Sequence, residues 1–196
     1  TYCNNMSKDI LNPIAFTIAT SEWLFPLKSF TVDGHKYSYD RGSAFEQKLE
    51  ENTGGVFNKR LIAYKKPETE SYIPMMVFAP SIVNDGRKML ISPIGISYLT
   101  QNAKTEKTQF NKLFDAIEYS RFFEQQSAEQ TKFTSVLRMS ATFPYISPVV
   151  SLPSEPRIEI MDAGLRDNYG IETSLRFVKA FNDWIAENTS GIVIIQ

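Results

Sequence analysis

Asp162-Ala163-Gly164 is the segment of this sequence best suited to chemistry. The residues before it, Arg157 to Met161, read as a short apolar strand, and an amphipathic helix is expected a few residues later. In open α/β sheets, functional groups gather beyond the carboxyl ends of strands. A carboxylate at Asp162 is therefore placed to act as a general base. Ala163 and Gly164 let backbone or ligand approach closely, and Gly164 permits a sharp turn. An aspartate turn after a strand is also ordinary loop chemistry, so the pattern alone leaves a structural role open.

Other reactive residue types have weaker settings. His35 is the one histidine and lies in Asp33-Gly34-His35-Lys36, which reads as an exposed polar turn. Cys3 has no second cysteine to pair with and is far in sequence from His35. Ser97, in Gly95-Ile96-Ser97-Tyr98-Leu99, comes nearest to a G-x-S-x-G nucleophile turn. Leucine replaces the second glycine, however, and Ser97 reads as a loop serine. Asp162 and Asp167 could pair on a metal, but no histidine accompanies them, so they read as solvated or capping residues. Asn168 is a candidate cap for the following helix. No metal or cofactor is expected.

Composition narrows the classes. With 196 residues and 42% hydrophobic content, the chain can bury one sizeable core. A net charge of -1 lacks the basic excess that phosphate neutralisation demands, so no nucleic-acid partner is expected. Lys59, Arg60, Lys65 and Lys66 read as a solvated face. Glu22-Trp23-Leu24-Phe25-Pro26 reads as core packing in preference to a lipid-facing lip. No apolar run approaches the roughly 18 residues of a membrane span, and no signal peptide is present within the chain. The sequence starts at Thr1 and finishes on Ile192-Val193-Ile194-Ile195-Gln196, which reads as a buried strand; together these suggest a fragment of a longer protein.

The elements that must position Asp162 follow from periodicity. Ser7 to Thr20 is compatible with strand or helix. Ser43 to Asn52 reads as a helix capped by Ser43 and stopped by Gly54-Gly55. Tyr72 to Ala79 and Lys88 to Ser92 read as strands around an Asn84-Asp85-Gly86-Arg87 turn. Phe110 to Phe123 and Thr131 to Ala141 show helical spacing. Ile171 to Glu187 shows it most clearly, with Ile171, Leu175, Val178 and Ile185 on one face, broadened by Phe181 and Trp184. Strands alternating with helices predict a layered α/β fold in one domain.

Several segments together resemble the patatin-like phospholipase family. Asp162-Ala163-Gly164 is similar to its D-[GA]-G motif, and Asp167-Asn168 with Gly170 resembles the D-N-x-[PG] continuation. Ser140-Ala141-Thr142-Phe143-Pro144 resembles the S-A-x-x-P segment that leads into the aspartate strand. Asp40-Arg41-Gly42 and the Pro74 to Ser92 region are similar to the part between nucleophile and aspartate. The resemblance runs from about Leu11 onward and implies that residues 1–196 are the C-terminal portion of such a domain. It implies a layered α/β fold, a lipid or acyl-ester substrate, compatibility with a membrane surface, and a serine–aspartate dyad with Asp162 as base. No histidine or cofactor is required. This sequence departs from the family in lacking both G-x-S-x-G and the glycine-rich oxyanion loop. The expectation is that both precede Thr1 and that this chain by itself is inactive. The alternative is a non-catalytic patatin-like module that binds lipid or a partner.

Overall fold

The computed structural model of the chain describes residues 2–23, 29–32, 35–101, 114–143 and 146–195. Two short helices open it, α1 (Tyr2–Met6) and α2 (Leu11–Thr17), followed by a wider helical turn over Ile18–Glu22. The ambiguous Ser7 to Thr20 region is thus largely helical. A separate hairpin pairs β1 (Ser29–Val32) with β2 (His35–Ser38), and His35 begins the second strand opposite Val32. Asp33 and Gly34 of the expected polar turn lie outside the described residues.

Helix α3 (Arg41–Asn52) begins two residues earlier than its sequence suggests. The cap is Asp40, whose Oδ1 accepts from the Ser43 N–H at 3.0 Å, so Ser43 is the capped residue and not the cap. Gly54 and Gly55, at φ +65° and +79°, stop the helix in the left-handed region that a side chain would resist. A further short helix, α4 (Lys65–Thr69), follows.

The main sheet is mixed, with five strands in the order β5-β4-β3-β7-β6. They are β3 (Ser81–Ile82), β4 (Lys88–Leu90), β5 (Ala116–Glu118), β6 (Val150–Leu152) and β7 (Ile158–Met161). The Asn84 to Arg87 turn joins β3 to β4 as a hairpin. Most of the expected Tyr72 to Ala79 strand is irregular, with one bridge at Phe78↔Ile91. Strand β5 runs parallel to β4 and replaces part of the helix expected over 110–123; residues 110–113 lie outside the described residues. The local pattern misled because Ile117 faces a core as a strand residue, and only Tyr119–Phe122 (α5) is helical.

Alternation along β4 gives the sheet two buried faces. Met89 and Ile91 join Ile82 and Ile160 under Val136 and Met139 of α6 (Phe133–Ser140). Leu90 points the other way, with Ala116, Ile96 and Leu99, beneath Phe177 of α7 (Ile171–Ala180). The architecture is therefore mixed α/β, a five-stranded sheet with eight α-helical segments among the described residues.

The last third corrects three expectations. The long helix over 171–187 breaks at Phe181, leaving α7 and α8 (Asn182–Asn188). Its apolar face is not buried: Leu175 is 53% and Trp184 59% exposed, while Thr173 and Arg176 are buried. The charged network described below decides which side of α7 meets the sheet. Residues 192–195 form no strand and are exposed, since no described neighbour pairs with their backbone. Trp23, expected in a core, is 85% exposed; Leu24, Phe25 and Pro26 lie outside the described residues.

Candidate functional site

Strand β7 runs to Met161 and delivers Asp162 at its carboxyl end, where the sequence places it. Asp162 starts a tight helical turn over Ala163–Leu165. Its carbonyl oxygen accepts from Ser81 Oγ at 2.9 Å, which ties the turn to the centre of the sheet. Its Oδ1 accepts from the Gly164 N–H at 2.6 Å. Among the described residues Oδ2 of this partly exposed carboxylate receives no hydrogen bond.

Gly164 serves this arrangement by its lack of bulk. Its φ is not positive; a Cβ there would stand 2.8 Å from Asp162 Oδ1, inside contact distance. The expected sharp turn therefore rests on close approach, and the left-handed residues come later, at Tyr169 (φ +61°) and Gly170 (φ +67°). Helix α6 packs on both β7 and the Ala163–Leu165 turn. Ser140 Oγ, at the end of α6, is buried without a hydrogen-bond partner. Arg138 lies 3.6 Å from Asp40 Oδ2 and 3.2 Å from Glu46 Oε1, so the Asp40-Arg41-Gly42 and Arg138 segments, distant in sequence, meet.

Asp167 caps the helix that follows the Asp162 loop. Its carboxylate accepts from the N–H groups of Glu172 at 2.8 Å and Thr173 at 2.9 Å, and from the Thr173 hydroxyl. It therefore occupies the cap role considered for Asn168, which is exposed. Burial pushes the Asp167 carboxyl up, but the Thr173 and Glu172 hydrogen bonds and the Lys88 charge outweigh it and hold its pKa below the ordinary value.

Beneath this loop lies a buried charged network. Arg176 donates to both oxygens of Asp115, at 2.7 and 2.6 Å, to the Leu99 carbonyl at 3.1 Å, and to Glu172. Burial raises the Asp115 pKa, yet Arg176, Lys88 and Arg166 bring it below normal. The Lys88 ammonium is 3.6 Å from Asp167 and 3.5 Å from Glu172. In sequence Lys88, Asp115 and Arg176 do not stand out, since a charge inside an apolar strand or helix reads as solvated. The one available signal was Lys88 at the head of a strand otherwise buried on both faces.

Ser97 has a strong partner. Its hydroxyl donates to Glu118 Oε2, and Glu118 Oε1 accepts from the Ile96 N–H at 3.0 Å and Ser120 Oγ at 3.1 Å. Arg121 Nε adds an ion pair at 3.2 Å. These contacts staple the 92–97 loop to the end of β5. A cavity of about 440 Å³ opens beside it, lined by Leu61, Ile94, Lys65, Glu118, Ser120 and Arg121 among others. A second, of about 250 Å³, is lined by Tyr169, Ile171, Ser174, Ile194 and Ile195. Neither lining includes Asp162.

Cys3 is exposed and free. Among the described residues no helix is long and apolar enough to cross a membrane. Comparison with protein-family models, curated proteins and solved structures returns no match to this chain.

Proposed function

We propose that this chain is the aspartate-bearing, C-terminal portion of a patatin-like lipid acyl hydrolase domain, with patatin-like layering of its α/β fold. In this reading a serine supplied from outside these 196 residues attacks the carbonyl carbon of an acyl ester. Asp162 accepts the serine proton as the oxygen–carbon bond forms. The alcohol then leaves with that proton, and water, deprotonated by the same carboxylate, releases the fatty acid. The substrate is a lipid acyl ester met at a membrane surface.

The observation that carries the reading is the half-free Asp162 carboxylate at the carboxyl end of β7, held by Ser81 and Gly164. Segments similar to the family also meet one another, α6 on the Ala163–Leu165 turn and Arg138 on Asp40. A base must come within about 2.6–3.2 Å of the hydroxyl it serves, and Oδ2 carries no hydrogen bond from a described residue that would compete with one. A second reading, a non-catalytic module binding lipid or a partner, is favoured by one observation: Asp162 lines neither cavity.

Fluorophosphonate labelling separates them. The 196-residue chain and a longer polypeptide containing it are treated with the probe, and the modified serine is mapped by mass spectrometry. The expected result is labelling of the longer polypeptide alone, at a serine outside these residues, abolished by Asp162→Asn. Labelling of the 196-residue chain at Ser97 would move the nucleophile into the Glu118 site. No labelling of either would leave the binding module as the account.

A further inference from the structure

Lys88 is completely buried, at 0% exposure, in the middle of the sheet. An ammonium is removed from water only where charges compensate it. Here the compensation is unusual. Nζ lies 3.6 Å from Asp167 and 3.5 Å from Glu172, yet makes no hydrogen bond. It acts as a point charge between two carboxylates, and both belong to the segment that leaves Asp162.

The contacts from Lys88 to Asp162 are short and continuous. Lys88 pairs in register with Ser81, and Ser81 with Met161. From that position Ser81 holds the Asp162 carbonyl. On the other side, the Asp167 N–H donates to the Ala163 carbonyl at 2.9 Å, closing the loop immediately after Asp162. The loop is therefore fixed at its start by the neighbour of Lys88 and at its end by the carboxylate that Lys88 attracts. The surrounding charges balance: Lys88, Arg166 and Arg176 face Asp115, Asp167 and Glu172. Deleting the Lys88 charge leaves an excess buried negative charge beside Asp167, which must move outward or take a proton.

We propose that Lys88 is a positioning residue for Asp162, clamping Asp167 from inside the sheet so that the Ala163–Gly164 turn presents the carboxylate in one orientation. The proposal rests on the reading of Asp162 as the base, but its first test does not. The Gly164 amide proton reports the orientation directly, because its bond to a carboxylate shifts it downfield. It is followed by NMR in this chain, beside the thermal midpoint, for Lys88→Met, Asp167→Asn and the double variant. Asparagine keeps the cap acceptor while losing the charge, and the double variant leaves no uncompensated carboxylate at 167.

The expected result is that the double variant recovers the midpoint lost by Lys88→Met but not the downfield Gly164 shift. In the polypeptide carrying the serine, the same variant should lose about tenfold or more in kcat with KM unchanged, because misplacement of a catalytic group acts on the chemical step. A Gly164 resonance that returns fully with the midpoint, or a kcat equal to that of the unmodified protein, would overturn the proposal. Should Lys88→Met fail to fold, Asp167→Asn and the double variant carry the same comparison. Intact hydrolysis in Asp162→Asn would instead remove the reading of Asp162, leaving the Gly164 result to stand alone.

Discussion

Replacing Gly164 by alanine adds one methyl group next to the proposed base. Built on the present backbone, that carbon stands 2.8 Å from Asp162 Oδ1, and 3.5 Å from Asn168 Oδ1. Ordinary contact begins at 3.4 Å, so the carboxylate must retreat by about 0.6 Å. The 2.6 Å bond from the Gly164 N–H then lengthens or breaks. A hydrogen bond to a charged acceptor contributes about 1.5–3 kcal/mol when buried. Gly164 is exposed, and screening reduces its share to about 1 kcal/mol or less. The loss of chain entropy on replacing glycine returns about 0.4–1 kcal/mol. Net stability should therefore change by under about 1 kcal/mol, whereas a displacement near 1 Å at a catalytic group costs up to about 100-fold in rate. The expected outcome for Gly164→Ala is an almost unchanged melting midpoint with roughly tenfold slower fluorophosphonate labelling of the serine-bearing polypeptide. Labelling at the unmodified rate would refute the reasoning that the Asp162 carboxylate is oriented by this close approach.

Two further outcomes concern titration. Asp167 and Asp115 have folded pKa values below their ordinary 3.8, so the stability they contribute is complete above that pH and is lost as pH falls through the lower folded values. Acid unfolding followed by circular dichroism should therefore steepen below about pH 4, and Asp167→Asn should flatten that limb. Glu68 shows the opposite sign: burial raises its pKa above 4.5, only partly offset by the Met76 N–H, and its Oε2 is buried without a partner. Its ionisation opposes folding progressively as pH rises above 4.5 and fully above the raised pKa, so Glu68→Gln should raise the melting midpoint at pH 7 by about 2–4 °C, for a gain on the order of 1 kcal/mol. The gain should vanish near pH 4.

Local chemistry already fixed several features in the sequence. Asp162 after an apolar strand, the Gly54-Gly55 stop and the hairpin turn over 84–87 depend on residues adjacent in the chain, and the structure has all three. The α/β class followed in the same way, from alternating periodicities. What depended on distant partners was not legible. Periodicity gives α7 a face of Ile171 and Leu175, yet the face that meets the sheet carries Arg176, because Asp115 stands just before β5 and a paired guanidinium can be buried. Residues 116–118 read as helix by spacing, which cannot register a parallel neighbour such as β4. Gly164 reads in sequence as a turn residue, whereas the structure requires it for the position of one carboxylate oxygen. Lys88 shows the limit most clearly. In sequence it is one more charged residue beside a turn, and only the fold, by setting β4 between β3 and β5 and turning Asp167 inward, makes it the buried charge beneath the Asp162 loop.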